Sequence, residues 1–338
     1  MAKPIVKIKC QNGISFDSAL TEIFNELTAE YDFVETADDP DFILFGPYGN
    51  DIPAPASYTR IGYFCENIIP DLSICEWAFG IPREEDINDS HYKRIQWHGL
   101  DPAKFVKPDG YDARQILNSK KYFCNFLYSN PVPYREEFFK QLSKYKTVDA
   151  PGRSMNNMES IDKKYKGDIW ECKRQFLSEY KFTIAFENYV YPGYQTEKLY
   201  DAMQANSIPI YCGDAFIGDI FNTGSFINAN EYINVKSSGA ISWLQKNARQ
   251  DFIDIRPQFY NNPLHRVKRK LKAVGRNYKM NLQFDKLNFQ PLIERIIELD
   301  NDDDKYLQML QQPWLNNNSV PAEFSLKQRW VEIFNTIK

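Results

Sequence analysis

The chain has 338 residues, 43% of them hydrophobic, 25% charged and 15% aromatic, with a net charge of −4. That length fits two domains of about 100–200 residues, each able to bury a core, and the charge balance supplies no basic field for nucleic acid. No run reaches the roughly 18 apolar residues of a spanning helix, and the opening MAKPIVKIKC lacks the apolar stretch of a signal peptide, so a cytoplasmic protein, peripheral on the inner membrane at most, is expected.

In chain order, IVKIKC reads as a strand. Asp17 to Glu30 reads as a helix with Leu20, Ile23, Phe24 and Leu27 on one face. DFILFG, RIGYFCEN and ICEWAFG are further strands. From Lys120 the pattern restarts: KYFCNFLYS, TVDA, FTIAF and IPIYCG are strands, and YREEFFKQLSKY, DIWECKRQFLSEY and TEKLYDAMQANS are helices. Strands alternating with helices predict parallel sheets in an α/β protein with two Rossmann-like halves. The expected division is residues 1–117, residues 118–300 and a C-terminal segment 301–338. In that segment Phe324, Trp330, Ile333 and Phe334 would dock back on the first half.

The six cysteines carry no C-x-x-C pair, which argues against a zinc site or a disulfide framework. Asp39-Pro40-Asp41 formally matches Asp-x-Asp but reads as the turn before a strand. DNDDDK (300–305) and LNNNS (315–319) read as exposed loops, and the three histidines lack metal-ligand spacing. LHRVKRKLK (264–272) is a basic cluster on a helix, read as a solvated face with a membrane surface left open.

The chemistry concentrates in FENYVYPGYQTEK (186–198), between the strand FTIAF and a helix. In open α/β sheets ligands bind beyond the carboxyl ends of strands, and the following helix offers unpaired N–H groups. Thr196 is a natural N-cap. Lys198 in the first turn opposes the helix dipole, which points to an anionic ligand. Glu197 beside it would repel phosphate but can accept hydrogen bonds from vicinal hydroxyls, so the pair reads as ribose plus diphosphate.

The pattern F-E-N-x5-Y-x-T-E-K, preceded by YKFTIA and followed by IPIYCGD, resembles the signature of the α1,3-fucosyltransferases, glycosyltransferase family ten. CENIIPDLSICEWAFG (65–80), SNPVPYREEFFKQLSKYKTVDAPGR (129–153), GDAFIGDIFNTGSFIN (213–228) and YNNPL (260–264) are similar to further segments of its bacterial Lewis-antigen members. The resemblance implies a GT-B fold, two Rossmann-like domains facing a central cleft. It implies inverting, metal-independent transfer of L-fucose from GDP-β-L-fucose to N-acetylglucosamine in an N-acetyllactosamine-type glycan, with no other cofactor. Glu66 matches the general base and Arg135 the diphosphate arginine. Asn188, Tyr194, Glu197 and Lys198 match donor contacts, with Arg153 and Glu187 also placed on the donor side. Whether Glu187 touches the sugar or holds the turn stays open. So do another GDP-sugar or acceptor, and a non-catalytic nucleotide-sugar-binding or glycan-binding protein.

Overall fold

The computed structural model describes residues 2–98, 100–234, 236–284 and 287–336. The chain forms two compact units, neither contiguous in sequence. The first comprises Met1–Asp101, Ser238–Lys279 and Pro321–Lys338, and the second Pro102–Ser237 and Met280–Val320. This differs from the linear division expected. The second unit begins sixteen residues before 118, the segment 238–279 belongs to the first unit, and of the C-terminal segment only residues from Pro321 onward return to it.

The first unit carries β1 (Ile5–Gln11), β2 (Asp32–Glu35), β3 (Phe42–Phe45), β4 (Thr59–Phe64), β5 (Ile68–Ile69), β6 (Trp77–Gly80) and β7 (Tyr92–Arg94). Six of these form a sheet in the order β2-β1-β3-β4-β6-β7, with every pairing parallel. The central strand FILF is buried at all four positions, as a strand covered on both faces must be. The helix Lys327–Phe334 closes one face. Trp330 and Ile333 are fully buried among Phe24, Phe42 and Phe79, with the Trp330 ring stacked on Phe79 at 4.2 Å. Of the tail residues expected to dock, Trp330, Ile333 and Phe334 belong to this core cluster and Phe324 does not. The helix expected over 17–30 is shorter. Helical structure runs from Phe16 to Ile23, and beyond it Asn25 and Thr28 bond local backbone groups, competing with the helical ladder.

The second unit carries β8 (Tyr122–Asn125), β9 (Val148–Asp149), β10 (Tyr180–Phe186), β11 (Ile208–Cys212) and β12 (Ile227–Asn228). Their order is β12-β11-β10-β8-β9, again parallel throughout. The last strand, β13 (Gln250–Asp251), lies in the first unit and pairs with β5. In both large sheets the strand order reverses between the first and third strands. At such a switch point the loops diverge and leave a crevice at the carboxyl ends.

Residues 300–305 are not the exposed loop expected. They end the helix Gln290–Asn301 and start the helix Asp303–Gln311. The Asp300 side chain is buried against Lys146 and Lys181, and Asp302 caps the second helix. In LNNNS, Leu315 is buried and the Asn318 side chain bonds both the N–H and the C=O of Lys107. All six cysteines are free thiols.

Candidate functional site

A cavity of about 370 Å³ opens at the switch point of the second sheet, within the size range of small-molecule sites. Its walls come from the segment after β8 (Leu127 to Asn130), from Asn188 after β10, and from the helix starts that carry Arg135, Trp170 and Lys198. Four residues expected at the donor site, Arg135, Asn188, Glu197 and Lys198, line this one cavity.

Arg135 sits in the first turn of the helix Pro133–Leu142 and is fully buried. Its Nη1 donates to the Asn188 side-chain oxygen at 3.0 Å and to the Phe186 carbonyl at 3.2 Å. Its Nη2 donates to the Asn130 carbonyl at 2.7 Å. The guanidinium lies 3.6 Å from the centre of the Tyr128 ring. Among the described residues, Arg135 has no carboxylate partner and its Nε has no acceptor. A buried cation held only by neutral oxygens and a ring face is stabilised further when an anion arrives.

The turn 187–198 explains its own composition. Glu187 is wholly interior. Its carboxylate accepts from the Thr196 N–H at 2.9 Å and from the Thr196 hydroxyl at 2.7 Å, and lies 3.4 Å from the Lys198 ammonium. Burial pushes the Glu187 carboxyl up, against the pull of Lys198 and Thr196. Glu187 is not among the cavity-lining residues, and the contacts it makes are ones that hold the turn. Thr196 is the N-cap by backbone, yet its side chain makes no capping bond, because it is engaged with Glu187 and with the Lys198 ammonium at 2.9 Å. Burial alone would lower the Lys198 ammonium, but Glu187 and Glu197 outweigh it and hold its pKa above the ordinary lysine value. Glu197 is likewise opposed by burial, and Lys198 and Lys173 win, so it is lowered and ionised.

The end of β11 braces this arrangement. The buried carboxylate of Asp214 accepts from the Gly193 N–H at 2.9 Å and the Gln195 side chain at 2.8 Å. Gly193 has φ +77°, a conformation that favours glycine. A Cβ on Gly213 would meet the Tyr211 hydroxyl and lie 2.7 Å from Cγ of Glu187, so the packing of these two side chains depends on a glycine here.

Two expected donor residues fall outside the lining. Tyr194 is half-buried within the turn, its N–H donating to the Tyr191 carbonyl. Arg153 is exposed in the turn after β9 and does not line the cavity. Spacing within a motif sets which turn a residue occupies, not which way its side chain leaves it. Conversely, Trp170 and Lys173 line the cavity, although the helix Ile169–Ser178 reads from sequence only as a helix, with no site residue expected on it. Exposed apolar residues at its first turn, Ile169 at 74% and Trp170 at 53%, are the signal. Lys173 is tied to Asp201 at 2.5 Å.

In the first unit, Glu66 follows β4 and is exposed. Its carboxylate accepts a hydrogen bond from the Tyr48 hydroxyl. Tyr48 lies after β3, at the switch point of that sheet, where its N–H donates to the Asn12 carbonyl at 3.2 Å. Burial, then Glu66, push the Tyr48 phenol up, so it stays a donor. Among the described residues no group of three or more His, Cys, Asp or Glu side chains could hold a metal ion. In the Asp39-Pro40-Asp41 turn, Asp39 pairs with Lys7 at 2.9 Å and Asp41 accepts from the Lys7 N–H.

Residues 117–252 match the family model described as glycosyltransferase family 10 (fucosyltransferase), C-terminal part. The chain is 33% identical over 265 residues to the α-(1,3)-fucosyltransferase FucT of Helicobacter pylori, covering 68% of this chain and 51% of that protein. It is 34% identical over 165 residues to a putative fucosyltransferase, R654, of Acanthamoeba polyphaga mimivirus, covering 44% of this chain and 28% of the relative. The chain thus spans about half or less of the length of these curated relatives. A solved structure of an α1,3-fucosyltransferase with GDP-fucose superposes with a TM-score of 0.63 at 21% identity, over 100% of this chain and 91% of the other. A second solved structure of an α1,3-fucosyltransferase gives a TM-score of 0.64 at 21% identity, over 99% of this chain and 90% of the other. The GT-B fold expected from the sequence is the fold these structures share with the chain.

Proposed function

We propose, with the glycosyltransferase family 10 domain that residues 117–252 form as the premise, that the chain transfers L-fucose from GDP-β-L-fucose to a hydroxyl of N-acetylglucosamine in an N-acetyllactosamine-type glycan. The product has an α1,3 linkage, formed with inversion. The observation that carries the reading is the buried, carboxylate-free Arg135 beside the ionised Lys198 in one cavity at a sheet switch point.

In this reading the acceptor oxygen bonds to the fucose anomeric carbon as the bond from that carbon to the β-phosphate oxygen breaks. The leaving electron pair ends on GDP, where Arg135 and Lys198 offset the growing charge. Glu197 accepts from the ribose hydroxyls. Glu66 takes the proton of the attacking hydroxyl, and the Tyr48 hydroxyl fixes the orientation of that carboxylate. Glu187, Thr196, Asp214 and Gly213 keep Lys198 in place without touching the donor.

The experiment is incubation with GDP-fucose and N-acetyllactosamine, followed by linkage analysis of the product. A fucosylated trisaccharide with a 3-linkage on N-acetylglucosamine is expected. GDP-fucose binding with no turnover on any lactosamine acceptor would identify a binding protein instead, and turnover only with a different GDP-sugar would reassign the donor.

A further inference from the structure

The helix Pro263–Phe284 is amphipathic in the reverse sense. Its inward face is basic: Lys272 bonds Asp251 at 2.8 Å and also Asp254, Arg276 donates to the Ala248 carbonyl at 3.0 Å, and Lys279 is buried. Its outward face carries Leu264, Val267, Leu271, Val274 and Tyr278, each more than half exposed, with Leu264 at 81%. These positions alternate in steps of three and four, so they form one stripe about 21 Å long. A stripe of this length left in water implies a surface that covers it.

Two occupants suit an apolar stripe with this spacing, a second copy in a coiled coil or a lipid surface, and charge decides between them. The helix contains seven Lys and Arg residues and no Asp or Glu. In a heptad frame with Leu264 and Leu271 at a, the flanking e and g positions include Lys268 and Lys270 and no acid. Two copies would therefore set like charges against each other in either orientation. Lys268 is paired with Asp251 at 3.0 Å. Arg266 and Lys270 are exposed and, among the described residues, form no ion pair. The helix Gly239–Asn247, which bears the exposed Trp243, packs at the edge of the stripe. A Cβ on Gly275 would lie 2.9 Å from that of Ala248 and 3.6 Å from Cδ2 of Leu244. Apolar side chains, unpaired cations and an exposed tryptophan together are the chemistry of a bilayer interface.

We infer that the outward face of the helix Pro263–Phe284 docks on an anionic phospholipid surface, with Leu264, Val267, Leu271, Val274 and Tyr278 entering the headgroup region and Arg266 and Lys270 meeting phosphate. None of these residues belongs to the donor cavity, so docking and transfer are separable.

The test is co-sedimentation of the full chain with vesicles of phosphatidylcholine alone or mixed with phosphatidylglycerol, alongside sedimentation velocity without lipid. Expected is a monomer that binds the phosphatidylglycerol vesicles and not the phosphatidylcholine ones. Binding should fall roughly tenfold or more in Leu271→Glu and in the pair Arg266→Glu with Lys270→Glu, and also in high salt, with melting temperatures of both variants near that of the parent chain. Absence of binding to phosphatidylglycerol vesicles, equal binding to both compositions, or a lipid-free dimer abolished by Leu271→Glu would overturn the inference. The charge-reversal pair keeps the test decisive if Leu271→Glu folds poorly.

Discussion

At the scale of single residues, the two carboxylates of the 187–198 turn do different work, and burial separates them. Glu187 is inside, spent on Thr196 and Lys198, whereas Glu197 lines the cavity. Replacing Glu66 by Gln should leave GDP-fucose affinity intact and lower turnover by about 10²–10⁴-fold, the range of general-base assistance. Steady-state kinetics beside a donor titration would check it, and near-normal turnover would remove Glu66 from the chemistry. Tyr48→Phe keeps the ring and deletes the hydroxyl that holds Glu66. Turnover should fall by roughly tenfold, the scale of one hydrogen bond to a charged group, again without loss of donor affinity. A drop in donor affinity instead would mean that Tyr48 acts on the nucleotide.

At the scale of elements, strand ends and helix starts set the proposed donor site. Gly213→Ala should displace Tyr211 and Glu187 together, because the added carbon would meet the Tyr211 hydroxyl first and Cγ of Glu187 at 2.7 Å. The expected outcome is a loss of GDP affinity comparable to removing Lys198, read by calorimetry on a folded protein, and unchanged affinity would show that the brace is dispensable. Much of this was legible in the sequence. Lys198 in the first turn opposes the helix dipole, and buried strands such as FILF and IPIYC stand out as continuous apolar runs. The edge strands β2 and β7 went unread because an edge strand can be short and polar. The Tyr48–Glu66 contact joins two loops eighteen residues apart, and no local pattern encodes it. Trp170 and Lys173 are not singled out by the sequence, because helical spacing does not say whether a helix's first turn overhangs a cavity.

At the scale of the whole molecule, each unit is assembled from separate stretches of chain. Trp330, near the carboxyl end, is part of the first unit's core. Trp330→Ala should cost about 3–5 kcal/mol, seen as a lower denaturation midpoint. In the second unit, burial lowers Lys107 and Lys120 from 10.5 to about 7. Between those values the unfolded chain binds more protons at these two sites than the folded one, so their penalty shrinks and stability rises with pH. Comparing denaturant midpoints at pH 7 and 9.5 for the parent chain and a Lys107→Met, Lys120→Met double variant should show a smaller rise in the variant, and identical pH dependence would refute the assignment. The central claim is that Arg135 and Lys198 hold a nucleoside diphosphate, and it is tested most directly by calorimetric titration of GDP and GMP into the parent chain, Arg135→Ala and Lys198→Ala. The account predicts that the parent chain prefers GDP. It also predicts that Lys198→Ala loses about 1.5–3 kcal/mol of GDP affinity, the worth of a charge-assisted bond, with GMP affinity less affected. Equal affinities for GDP and GMP, or GDP binding unchanged in both folded variants, would contradict it.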